Sequence, residues 1–204
     1  QLLQNLNLNY PGLEGAFLPD TYVFDPDELD INIYRKASQA MQKQLAQVWP
    51  QRTPESPLKT PYELLILASI IEKETGKSIE ANLISGVFIH RLSINMKLQS
   101  DPTVIYGLGK KFTGDITKKD LITDTPYNTY TREGLPPGPI CTPSPKTIDL
   151  VLDAPNTNYL YFVAKADFSG FHHFSSTYEE HNKYAKEYQK QLDIYQQKKA
   201  AAKQ

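Results

Sequence analysis

The sequence predicts an α+β fold, a helical scaffold with a small β-sheet, and three observations carry that prediction. Apolar residues recur at helical spacing through most of residues 27–95. Residues 98–145 are then rich in turns and prolines, with few long apolar runs. Finally, Leu160 to Ala164 (LYFVA) reads as a strand, Phe171 to Phe174 as its hairpin partner, and the chain turns helical again from Thr177. Helices therefore precede the sheet, and no repeat is visible along the sequence.

Taken in order, Gly12 to Phe24 (GLEGAFLPDTYVF) mixes Gly and Pro with aromatics and reads as a loop and a short strand. Over 27–49, Leu29, Ile33, Ala37, Ala40, Met41, Leu45 and Val48 mark one face of an amphipathic helix. A proline-containing linker over 50–59 follows. The next helix has a defined start: Thr60 as cap, Pro61 in the first helical position, and Glu63 completing a T-x-x-E capping box. Leu64 to Ile71 (LLILASII) is apolar almost all round, which predicts a helix buried on every side. Gly76 is its expected stop. A third helix is expected from Ser78, as cap, to Asn95. In the last helix Tyr178, His181, Tyr184, Tyr188, Leu192 and Tyr195 fall at three- and four-residue intervals, a stripe that suits packing better than partner binding.

Composition narrows the function. The chain has 204 residues, enough for one large domain with a substantial core. Its formal net charge of −1 provides no footprint for a nucleic-acid backbone. A lone cysteine, Cys141, excludes an intrachain disulfide or a multi-cysteine metal site. No apolar run reaches the ~18 residues of a membrane span. The chain starts at Gln1 without methionine, which leads us to expect a fragment or a processed product.

The chemistry points to the end of the buried helix. Glu72 and Glu74 follow the apolar run directly, and both leave a helix with apolar neighbouring faces. A carboxyl group in such surroundings has its charged form disfavoured, which tunes it toward a general acid. Periodicity does not choose between the two, and a helix end surfacing into water satisfies the same spacing.

An ordered set of motifs adds a resemblance. ASIIEKET (68–75), VFIHRL (87–92), LQSDPTVIYG (98–107), YNTY (127–130), GLPPGPI (134–140) and YLYFVA (159–164) occur between LEGAFLPDTY (13–22) and a final H-x-F and EHN (172–174, 180–182). Over residues 13–183 the chain resembles the endolytic murein transglycosylase, or YceG-like, family. Residues 184–204 read as a C-terminal helical extension of one domain spanning 1–204.

The resemblance implies a lyase that cuts the β-1,4 bond between N-acetylmuramic acid and N-acetylglucosamine within peptidoglycan strands, leaving 1,6-anhydro-muramic ends. It implies Glu72, the first Glu of the E-K-E triplet, as the catalytic acid/base. It also implies no cofactor and no metal, an N-terminal membrane anchor and a LysM-like subdomain before Gln1, and a location at the inner membrane facing the periplasm. Penicillin-binding proteins are the partners it suggests.

Around the acid, Gln99 and Asn128 carry neutral amides suited to sugar hydroxyl and N-acetyl groups. Tyr106, Tyr127 and Tyr130 offer rings for sugar faces, or pack their loops. Asp101, before Pro102, is either the cap of a short helix or a substrate contact. Asp20 reads as a turn residue, and GLPPGP (134–139) as a rigid bend forming one wall of the groove. His172 and His181 are expected to make buried hydrogen bonds, His90 to sit on a helix surface, and Cys141 to be a buried small side chain. Two other readings remain beside the lyase: a hydrolytic muramidase pairing Glu72 with Asp101 or another carboxylate, and a glycan-binding scaffold without turnover.

Overall fold

The computed structural model describes residues 2–74 and 78–201. Gly76, the expected helix stop, lies outside the described residues. Eight α-helices are described: α1 (Leu2–Asn5), α2 (Asp30–Val48), α3 (Pro61–Glu74), α4 (Ala81–Ser93), α5 (Asp101–Leu108), α6 (Lys118–Ile122), α7 (Pro145–Leu152) and α8 (Tyr178–Ala201). One hairpin, β1 (Tyr161–Ala164) and β2 (His172–Ser175), stands between the last two. The α+β expectation holds.

Helix α3 is the axis of the molecule. Every residue from Leu64 to Ile71 is buried, as an all-round apolar run requires, and α2, α4, α5 and α7 pack about it. Each fully buried Leu or Ile contributes about 1.5–3 kcal/mol of hydrophobic stabilisation. Its start differs slightly from the expected box. Glu63 N–H donates to Thr60 Oγ1 at 3.1 Å, but the Glu63 carboxylate accepts from Lys59 N–H rather than from the cap itself. The third helix also begins later than expected: Ser78–Glu80 form a 3₁₀ turn, and the α-helix starts at Ala81.

Two corrections follow from backbone bonding. Residues 12–24 contain no strand, because no other strand lies beside them. Their Leu18 N–H instead donates to Ala37 O on α2, and Tyr22 Oη returns to Leu18 O. The stretch read as turns holds two short helices, and α7 follows it at once. Helix α6 carries a complete capping box between Thr117 and Asp120, and Ser144 caps α7 by accepting from Thr147 N–H.

The hairpin is antiparallel, with Tyr161 opposite Ser175 and Phe162 opposite Phe174. Two strands alone are marginal in water. Helix α8 packs across both strands, and Phe88 of α4 meets Phe162 edge-on at 5.7 Å. Arg91, at the end of α4 and only 6% exposed, ties the hairpin to the helical body. Its Nε donates to Leu160 O and its Nη1 to Leu98 O, both at 2.6 Å. Glu80 adds a second tie, accepting from the backbone N–H of His172 and lying 2.9 Å from its Nδ1.

Candidate active site

Glu72 and Glu74 lie two residues apart on a helix, so their side chains leave α3 about 200° apart around its axis. They enter different surroundings. Glu72 turns to α7, where Ser144 N–H and Ser144 Oγ both donate to Oε2 at 3.1 Å. That contact fastens the end of α3 to the cap of α7. Glu74 turns to α5, where Ser100 Oγ donates to Oε1 at 2.5 Å.

Glu74, and not Glu72, opens on a cavity of about 420 Å³. Arg91, Gln99, Asp101 and Tyr130 line it from the helical body, and Tyr161, Phe162, Tyr178 and His181 from the hairpin and α8. The Glu74 carboxyl is largely withdrawn from water, and this burial raises its pKa from the usual carboxylate range to about 7. The Ser100 hydrogen bond opposes the rise, nearby Asp101 reinforces it, and Arg91 opposes it.

The wall beside Glu74 is built on one threonine. Thr129 O accepts from Gln99 N–H at 3.1 Å, and Thr129 Oγ1 accepts from Ser100 N–H at 3.0 Å. Thr103 Oγ1 lies 2.9 Å from Thr129 Oγ1 and donates to Ser100 O at 2.6 Å. Ser100, Thr103 and Thr129 are all buried, so the serine facing Glu74 is held rigidly. Gln99, between two buried residues, is exposed and has φ +51°. A glutamine in the left-handed region costs on the order of 1 kcal/mol, and such strain clusters where a side chain must be aimed. Tyr130 Oη donates to Asp101 Oδ1 at 2.6 Å, and burial followed by that bond pushes the phenol pKa upward.

His181 stacks against Tyr161 at 5.2 Å, and burial lowers its pKa, with Arg91 adding to the effect. Unlike His172, it does not bear out the expectation of a buried hydrogen bond at Nδ1, which is buried without a partner. His90 keeps partial exposure and lies 3.3 Å from Tyr159 O. Cys141 is partly buried and donates to Ser69 O at 3.2 Å, and burial raises its thiol pKa to about 11.

Of the candidates read from the sequence, Gln99, Asp101 and Tyr130 come together at the cavity around Glu74. The others do not. Asn128 is 1% exposed and its amide is fully committed: Nδ2 donates to the carbonyls of Asp120, Leu121 and Thr123, and Oδ1 accepts from Tyr130 N–H. It organises the 120–130 loop and lines a different cavity from the one at Glu74. Asn128→Ala should therefore cost about 2–3 kcal/mol through stranded carbonyls. For a chain of this size that lowers Tm by roughly 5–10 °C in a thermal melt. Tyr106 and Tyr127 line a separate cavity with Tyr62, and the GLPPGP bend borders that cavity and the surface beyond it, not the Glu74 wall.

Comparison with known proteins bears on this arrangement. The YceG-like family profile matches residues 2–187, slightly more than the motif-bearing stretch. The chain belongs to the YceG-like family. It is 35% identical over 184 residues to an endolytic murein transglycosylase of Bacillus subtilis, covering 90% of this chain and 50% of that relative. An endolytic murein transglycosylase of Streptococcus pneumoniae is 33% identical over 190 residues, covering 89% of this chain and 34% of its own length. The crystal structure of a yceG-like protein from Listeria monocytogenes superposes with a TM-score of 0.74 at 36% identity, over 88% of this chain and 58% of that one. This YceG-like chain thus spans about half, or about a third, of the curated relatives it matches.

Proposed function

We propose that the chain carries the catalytic site of an endolytic peptidoglycan lytic transglycosylase, and that Glu74 rather than Glu72 is its acid/base. The observation that supports this most directly is the Glu74 carboxyl, recessed in an open cavity with its pKa raised to about 7. Glu72 has two donors on one oxygen and serves the α3–α7 junction. The names of the relatives support the reaction class.

The chemistry needs one carboxyl group. Glu74, protonated, gives its proton to the glycosidic oxygen as the bond to the muramic C1 breaks. The carboxylate left behind takes the proton from the C6 hydroxyl of the same residue, which closes on C1 to form the 1,6-anhydro ring. Because the nucleophile belongs to the substrate, its effective concentration is high and no water-activating base is required. Ser100 Oγ, donating to Glu74, stabilises the carboxylate between the two steps. Gln99 offers an amide to hydroxyl or acetamido groups beside the broken bond, and Tyr130 and Asp101 complete the polar wall.

Asp101 in the same cavity is the observation that favours the hydrolytic alternative, in which a second carboxylate serves water or the sugar. Digestion of glycan strands in heavy-oxygen water separates the two. The expected product has anhydro ends with no heavy oxygen at the new terminus by mass spectrometry. Incorporation in most product chains would establish hydrolysis, and no cleavage at all would leave the scaffold reading.

Among the described residues no helix is long and apolar enough to cross a membrane. Attachment to the inner membrane with this part facing the periplasm, and work beside penicillin-binding proteins, belong to the same proposal and rest on the family resemblance.

A further inference from the structure

The second cavity, with a volume of about 260 Å³, lies where α3, α5 and the loop before α1's successor converge on Gly138 and Pro139. Its walls include Tyr62, Tyr106 and Tyr127, and Tyr10 stacks behind Tyr62 at 4.4 Å. The Tyr106 and Tyr127 rings lie 4.7 Å apart, tilted by 54°. Burial raises the Tyr106 pKa, and the neighbouring Glu14 and Tyr127 add to the rise. A side-chain carbon at Gly138 would meet the hydroxyls of Tyr62 and Tyr127 at 3.1 and 3.2 Å, so these hydroxyls converge where glycine leaves room. Glu14 is exposed, and among the described residues it is the only charged one lining the cavity. Electron-rich rings, phenol oxygens and one carboxylate, with no basic side chain among the described residues lining the cavity, make a setting for a cation.

We infer that this cavity binds a primary ammonium group, and that its source is the amine-bearing side chain of the peptide stem carried by the glycan. The inference rests on the proposed substrate for its source, and on the cavity alone for its chemistry. Tyr106 stands five residues beyond Asp101 on α5, about 7.5 Å farther along the axis and about 140° around it, so the two cavities lie on different sides of one short helix. A stem of three extended residues reaches about 10 Å before its amine-bearing side chain is added. A glycan seated at Glu74 would therefore lay the amine of a stem against the tyrosines, and the site would favour strands with free amines over strands whose amines are capped.

The test uses the whole chain and does not depend on turnover. A synthetic stem tetrapeptide with one free lysine side chain is titrated by calorimetry, beside the same peptide acetylated on that amine. The free peptide is expected to bind about tenfold more tightly than the acetylated one. Glu14→Gln is expected to erase the difference. Equal affinities for the two peptides, no binding of either, or a preference that survives Glu14→Gln would each overturn the inference. A parallel digest of stem-free glycan by the unmodified chain reports on the proposed reaction separately. Cleavage there, with no amine preference in the titration, would sink this site and leave the reaction standing. An amine preference without cleavage would do the reverse.

Discussion

Glu74→Gln is expected to lower glycan cleavage by roughly 10²–10⁴-fold, while Glu72→Gln keeps most of the parent rate. The glutamine is nearly isosteric and can still accept from Ser100 Oγ, so the cavity wall remains in place. What it cannot do is deliver a proton to the leaving oxygen or take one from the C6 hydroxyl. Glu72→Gln keeps an oxygen for Ser144 and should show at most a modest loss of stability. Measured turnover of defined glycan strands by both variants decides between the carboxyls. A Glu72 variant as inactive as the Glu74 variant would return the role to Glu72. The unmodified chain should also show a one-sided pH profile. In the proposed reaction Glu74 begins each cycle protonated, so turnover should be level in mild acid and fall as pH rises through about 7.

The second large effect is on stability. Arg91→Ala should cost roughly 3–5 kcal/mol, because it strands Leu98 O and Leu160 O inside the protein and removes a guanidinium that fills the space between them. Chemical denaturation reads this directly. Arg91→Lys, which keeps the charge but can reach only one carbonyl well, should recover part of the loss. A variant within 1 kcal/mol of the parent would mean that the hairpin is held by its apolar contacts with α4 and α8 alone.

The sequence showed the long elements clearly because their signals are local. The all-round apolar run of α3, the one-sided pattern of α2 and the LYFVA strand each needed only a window of neighbours. Helix α7 had a readable start, Ser144 followed by Pro145, but its few apolar residues sit in a proline-rich context that reads first as loop. Asn128 was also decipherable in part. Its Oδ1 bond to Tyr130 N–H is a local turn that Asn commonly makes, which argues for structure over binding. The three carbonyls on its Nδ2 could not be foreseen. The different surroundings of Glu72 and Glu74 were beyond local reading altogether. Ser144 lies 72 residues from Glu72, and Ser100 lies 26 residues from Glu74. Arg91 is hard to read for a related reason: an arginine at a helix C-terminus looks like a surface charge until the hairpin folds over it.

The burial of Glu74 also sets a relation between protons and folding. Its carboxyl has a higher pKa in the native protein than in the unfolded chain, so the native state holds the proton more tightly. The stability linked to that proton is fully present below the unfolded value of 4.5 and is lost as pH rises through about 7. Over that interval the loss is on the order of 3 kcal/mol, a sizeable part of the few to fifteen that hold a domain together. Alkaline conditions therefore draw the Glu74 proton and loosen the fold by the same titration, and a glycan that excludes water from the cavity while Glu74 is protonated would oppose both.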